Sequence, residues 1–302
     1  MPTLRYPRLR YQNWRGGLVA SDALLICFYM RYANNQIAPA VIRALELFRE
    51  QIRPYQLAWY AGDGQAEPLD GSAWDEIRKK TLEPEPDEGA FQQMWDDPIQ
   101  VNGLYVDYRG LPVVPLPYRG REDDVSVLYL RLPTEYLEDQ GPDRVRDLAL
   151  DLAQELPFNS GFVDFALCSN TWDFDEALKL IRPRYPGVHL ASSSANLRMN
   201  TWVDGVHWMN FLGQPVLGQL GGVDSLRERL ALPGISIQEM SGERVLITLG
   251  ERPETGDVEA DQTLPLHRVL ARLLEPHLHH RTAELTRMSP EELLRWERRF
   301  LD

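Results

Sequence analysis

The side chains that could do chemistry are sparse, and none completes a catalytic pattern. The stretch HWMNFLGQPVLGQLGG, residues 207–222, holds Gly213, Gly218, Gly221 and Gly222. Gly213 and Gly218 have the G-x-x-x-x-G spacing of a phosphate loop. That loop needs a lysine on the phosphates and a hydroxyl on magnesium, and Gln219 and Leu220 stand in those places. The glycines therefore read as turns and close packing points. The six histidines are His189, His207, His267, His277, His279 and His280. HLHH at 277–280 could take up a metal adventitiously, but it lacks the H-E-x-x-H pattern and an accompanying cysteine pair. It reads instead as a helix end favoured by the dipole. SSSAN at 192–196 is not a G-x-S-x-G elbow. Asp164, Asp173 and Asp175 near strand ends are the set that could hold magnesium, which leaves a metal-assisted hydrolase as the enzyme alternative. No catalytic residue, cofactor or metal is otherwise expected.

Composition narrows the field further. The chain has 302 residues, 43% hydrophobic and 25% charged, which suits an ordered globular protein. No apolar run approaches the ~18 residues of a membrane span. The basic N-terminus, MPTLRYPRLRYQNWRGG, lacks the apolar core of a secretory signal. Cys27 and Cys168 sit in apolar strand-like runs and read as buried free thiols, with a disulfide between them as the alternative. Two cysteines and no signal favour the cytoplasm. The net charge of −13 argues against direct nucleic-acid binding, which needs a basic footprint. Most of the excess lies in two segments. Residues 67–97 carry ten acidic and three basic residues, and residues 135–155 carry seven and two. Each is either a solvated face or a docking surface for a basic protein.

The elements that must position these residues alternate between the two periodicities. ALLICFYM at 23–30 reads as a buried strand, followed by a helix with Ile37, Val41, Leu45, Phe48 and Ile52 on one face and Asn34 or Asn35 as cap. YQLAWYA at 55–61 is a second strand. Short helices are expected around 72–80 and 88–95, within an irregular acidic insertion at 62–98 anchored by Trp74 and Trp95. VNGLYVDYRG, VSVLYLRLP and GFVDFALC read as strands, with a helix over PDRVRDLALDLAQEL and a short one over WDFDEALKLI. TWVDGVHWMNFLG is a strand candidate. Ser225 and Glu228 predict a capping box before SLRERLAL. ISIQEM and RVLITLG flank Ser241-Gly242 as a hairpin. LPLHRVLARLLEPHL is helical, and Ser289, Pro290 and Glu292 start a terminal helix. The expected class is α+β (mixed α/β), sheets flanked by helices, with strand–helix–strand repeated at 20–60 and 125–168. The proline-rich stretch at 110–124 divides residues 1–120 from 121–302 as two similar halves, unless both share one continuous domain.

RYPGVHL, then VHWMNFLGQPVLGQLGG, then ITLGERPETGDVEADQTLPLHRVLARLLEPHL occur in that order. The ordered set resembles a family of bacterial type VI secretion immunity proteins. The matching residues are Tyr185, Pro186, Gly187, Trp208, Asn210, Gly213, Leu220, Gly221, Gly222, Gly250, Pro253, Gly256 and Asp257. CFYMRY and LAWY resemble the family's opening, so the likeness spans roughly residues 15–278. It implies a protein that binds and neutralises a cognate effector toxin, with nuclease-type toxins among the partners, and it supplies no catalytic residues. It also implies that the glycines are fold determinants and that Asn210 has a buried hydrogen-bond role. A nuclease presents positive charge to phosphates, and an acidic inhibitor gains from complementarity. The expected toxin-binding residues are Asp75, Glu76, Glu83, Glu85, Asp87, Glu88, Asp96 and Asp97. Occlusion of the toxin's active site and blocked toxin assembly are both open, as is an adaptor role in the secretion system. Neither nucleic acid nor membrane is expected as a direct partner, and the sequence leaves the oligomeric state open.

Overall fold

The computed structural model describes residues 6–62, 65–85, 87–98, 101–114, 123–169, 174–191, 197–281 and 288–302, and of 174–176 the backbone only. One large, mostly antiparallel sheet organises these residues, with helices packed on it. The mixed α+β class expected from the sequence is the one found.

The sheet centres on β2 (Leu18–Met30), which lies between β7 (Ser126–Pro133) and β8 (Ser160–Cys168). Beyond β7 follow β6 (Tyr105–Gly110), β5 (Ala90–Trp95), β3 (Trp59–Ala61) and β4 (Ala66–Pro68). Beyond β8 follow β10 (Met209–Leu212), β12 (Arg244–Leu249) and β11 (Ile235–Met240). Two short strands attach to the centre. β1 (Tyr11–Gln12) pairs with β2, and β9 (His189–Ala191) runs parallel to β8. The sheet thus passes without interruption across the proline-rich stretch, and a strand from before it is held between two strands from after it.

Burial on both faces explains why β2, β7 and β8 read as unbroken apolar runs. Leu24, Ile26, Phe28 and Met30 of β2 face the main core. There they meet α1 (Asn34–Gln51) through Ile37, Val41, Leu45 and Phe48, and α3 (Thr134–Glu155) through Val145, Leu148 and Leu152. Ala23, Leu25, Cys27 and Tyr29 point the other way, and join Val127, Tyr129, Phe162, Ala166 and Cys168 in a second core. Both cysteines are free thiols, and Cys27 pairs in register with Phe162. A third core lies under α5 (Val216–Gln219), α6 (Gly222–Arg229) and α7 (Pro265–Leu274).

Several boundaries differ from the sequence expectations. Residues 90–95 form strand β5, not a helix. AFQQMW alternates buried and less buried positions with period two and pairs along its length with β6. Asn34 does not cap α1; it is the first helical residue and is buried, donating to the Thr81 carbonyl and accepting from the Tyr108 hydroxyl. α3 begins at Thr134, with Gly141 (φ +81°) breaking the helix before Pro142. α6 starts at Gly222 behind a left-handed Gly221, so Ser225 lies inside the helix and does not cap it. Only Met209–Leu212 of the TWVDGVHWMNFLG run is strand. The hairpin over β11 and β12 forms as expected, as does the Ser289–Glu292 capping box of α8 (Pro290–Glu297). The two strand–helix–strand units differ in reach. α3 carries the chain from β7 to β8 across one strand, whereas three strands separate β2 from β3. Among the described residues no helix is long and apolar enough to cross a membrane.

Candidate functional site

The two acidic segments are used in different ways. In 135–155 most carboxylates are engaged by neighbouring elements. Glu135 pairs with Arg10 at 2.5 Å, and Glu138 with Arg8 at 2.5 Å. Asp151 accepts from Gln51, Glu155 pairs with Arg43, and Asp139 accepts from the Tyr55 hydroxyl. These charges fasten α3 to α1 and to the N-terminal strap.

In 67–97 the carboxylates divide. Asp70 caps α2 (Gly71–Leu82) by accepting from Ala73 N. Glu76 pairs with Lys80 and accepts from the Tyr60 hydroxyl. Asp96 accepts from the backbone N–H groups of Asp97 and Leu104 and so closes the β5–β6 turn; a side chain on Gly103 would collide with it. Asp75, Glu83, Glu85, Asp87 and Glu88 are exposed, on α2 and in the connection to β5. Leu82, 39% exposed, and Phe91, 54% exposed, lie in the same segment. Trp74 and Trp95 turn inward, as expected of side chains that tie the insertion to the body. Trp74 is buried beneath Arg49, and Trp95 is half-buried against Tyr105. Of the eight candidate residues, Glu76 and Asp96 thus have work inside the fold.

The motif residues of the last third form joints. Gly187 donates to the Thr255 carbonyl so closely that a Cβ there would lie 2.2 Å from the Glu254 oxygen. Asp257 accepts from Nε and Nη2 of Arg184, at 3.0 and 2.8 Å, and caps the turn at 258–260. Tyr185 and Pro253 are buried, and the Pro186 carbonyl accepts from Arg299. Gly250 and Gly256 hold left-handed turns. Gly213 packs on the Phe158 carbonyl, and Gly221 and Gly222 turn the chain into α6. No phosphate-loop geometry arises here, since the lysine and hydroxyl are missing. Asn210 on β10 accepts from His207 N at 2.9 Å and donates to the His207 carbonyl at 2.6 Å, so one amide fixes the backbone of His207.

His207 leads to a buried charge cluster that the sequence reading missed. Its Nδ1 lies 3.1 Å from Asp164 Oδ2, and its ring stacks on Phe162 at 4.0 Å. Asp204 accepts from Arg281 at 2.9 Å on one oxygen and from the Tyr29 hydroxyl at 3.0 Å on the other. His189 on β9 places Nε2 4.0 Å from Asp204. Burial lowers the pKa of His189 to about 3 and of His207 to about 4, so both imidazoles are neutral near pH 7. Burial alone would raise Asp204, but the hydrogen-bonded Arg281 cation outweighs it and holds the carboxyl below its usual range. Asp164 is raised by burial. The signal available in the sequence was a histidine inside each of two motif stretches, YPGVHL and VHWMN, with Asp204 three residues before the second. Of the hydrolase set, Asp164 belongs to this cluster, while Asp173 and the Asp175 side chain lie outside the described residues.

Comparison with known proteins defines the class. Residues 40–300 match the family described as type VI immunity for VRR-NUC (TsiV). The chain belongs to that family, and is a type VI immunity protein for a VRR-NUC nuclease effector. Its fold is similar to that of the Pseudomonas aeruginosa T6SS protein PA0821, with a TM-score of 0.72 and 19% identity over 95% of this chain and 90% of that one. No curated protein matches the sequence.

Proposed function

We propose that this immunity protein neutralises its effector by presenting the exposed carboxylates of the α2–β5 segment to the effector's basic, DNA-binding cleft, and that it acts by binding without turnover. The observation that carries the reading is the division of the two acidic segments. Those of 135–155 mostly serve internal ion pairs, whereas Asp75, Glu83, Glu85, Asp87 and Glu88 face solvent beside Leu82 and Phe91. A nuclease cleft lined by cations is steered toward such a surface, and exposed apolar side chains in the same segment supply contacts that hold once formed. The reading puts the protein in the cytoplasm, the compartment of the DNA that a nuclease attacks.

The test is rescue of a cell expressing the cognate VRR-NUC effector, paired with co-purification. Rescue with a stable complex is expected. Replacing Glu83, Glu85, Asp87 and Glu88 together by Lys should abolish both while the protein stays folded. Asp96 and Asp97 are left intact because Asp96 holds the β5–β6 turn. Full affinity in the folded reversal variant would show that the effector docks elsewhere.

A further inference from the structure

We propose that His189, Asp204 and His207 form a binding site for one zinc-class divalent ion, which clips β9 and the segment before β10 onto the sheet.

Each of the three residues offers a ligand atom, and these atoms lie within 4.8 Å of one another. Two imidazoles and a carboxylate are a donor set that suits zinc. His207 supplies the decisive observation. Its Nδ1 faces Asp164, so Nδ1–H donates to the carboxylate and Nε2 carries the free lone pair. That Nε2 is buried and has no hydrogen-bond partner among the described residues. An unpartnered polar atom in a protein interior costs about 1–3 kcal/mol. A carboxylate fixing one ring nitrogen while the other is left open is the arrangement of metal-ligating histidines. Asp204 is held in the same way. Arg281 and Tyr29 orient its two oxygens, and Oδ2 is the one 4.0 Å from His189 Nε2. Bonds of about 2 Å place tetrahedral ligand atoms roughly 3.3 Å apart, so the ion draws the three side chains inward by about an ångström.

The donors come from β9 and from two positions in the segment leading to β10, with Asp164 on β8 behind them. Burial of all three side chains closes the site to large ligands and makes its role structural. The inference is independent of how the effector docks.

The experiment is calorimetric titration of the dialysed full-length protein with Zn2+, repeated with Co2+ to read the visible bands of a tetrahedral ion. One equivalent per chain, a raised melting temperature and tetrahedral cobalt bands are expected. His189→Gln, the ligand least engaged by other groups, should lose the one-equivalent binding, and Asp164→Asn should weaken it about 10- to 100-fold. Replacing His277, His279 and His280 together by Gln should leave it unchanged. The proposal is overturned if the wild-type protein shows no saturable binding, or if binding survives His189→Gln and disappears with the HLHH replacement.

Discussion

Two regions of this molecule use the same residue type to opposite ends. In the β8–β9–β10 region, Asp164 and Asp204 are buried and fixed by named partners, namely His207, Arg281 and Tyr29. In the α2–β5 region, five carboxylates stand in water, and Leu82 and Phe91 of the same segment are exposed too. A buried charge is tolerable only when paired, and removing its partner is costly. An exposed charge contributes little to folding, but its field reaches an approaching molecule over about 8–10 Å at ordinary salt. The first region therefore holds the fold, and the second is available for recognition.

The sharpest way to break this contrast is to unpair a charge in each region. Arg281→Met leaves Asp204 buried without its cation and should destabilise by about 3–5 kcal/mol, read as a lower urea midpoint. On α2, Arg78→Met removes the exposed pair with Glu46 of α1 and should cost less than about 1 kcal/mol. Equal costs would mean that burial does not separate the two regions.

Acid should act on the buried histidines. His267 on α7 is buried, neither ring nitrogen has a hydrogen-bond partner among the described residues, and burial lowers its pKa to about 3. The unfolded chain, with an ordinary value near 6.5, then binds the proton that the folded chain refuses. The stability tied to this group is complete above pH 6.5 and falls by about 1.4 kcal/mol per unit as pH drops toward 3. His267→Leu should flatten that slope in denaturation curves taken between pH 7 and 4. An unchanged slope would place the acid sensitivity elsewhere.

Asn210→Ala should cost about 1–3 kcal/mol, because it strips the partners from a buried N–H and carbonyl of His207. Thermal or urea unfolding measures it. The smallest effect on stability belongs to the α2–β5 surface. Replacing Glu83, Glu85, Asp87 and Glu88 by Lys should shift unfolding by no more than about 0.5 kcal/mol.

The sequence showed the fold best where one periodicity prevailed. β2 and β8 were visible as apolar runs, α1 by its spaced Ile37, Val41, Leu45 and Phe48, and α8 by its cap. It misled where a side chain served a distant partner. Asn34 has the type of a cap, but its amide is drawn to Thr81 and Tyr108, which no local pattern reveals. Residues 88–95 carried polar glutamines that hid a strand whose partner lies beyond the next turn. The family was legible in ordered motifs, and the acidic segment was legible in its charge. Which carboxylates are internal was not, because Glu138 meets Tyr6 and Arg8 only through tertiary contact, and Asp96 meets Leu104 only once β5 and β6 have paired. The buried cluster escaped for the same reason: Tyr29, Asp164, His189, Asp204, His207 and Arg281 meet only through the sheet and the segments that cross it.

The central claim, that the α2–β5 carboxylates recognise the effector, is tested most directly by association kinetics. The rate of binding to the VRR-NUC effector would be followed at increasing salt for the wild-type protein and for the Glu83, Glu85, Asp87, Glu88→Lys variant. The account predicts an association rate lower by about tenfold or more at low salt in the variant, with a flattened or reversed salt dependence. Identical rates and identical salt dependence, from a variant that unfolds like the wild type, would contradict it.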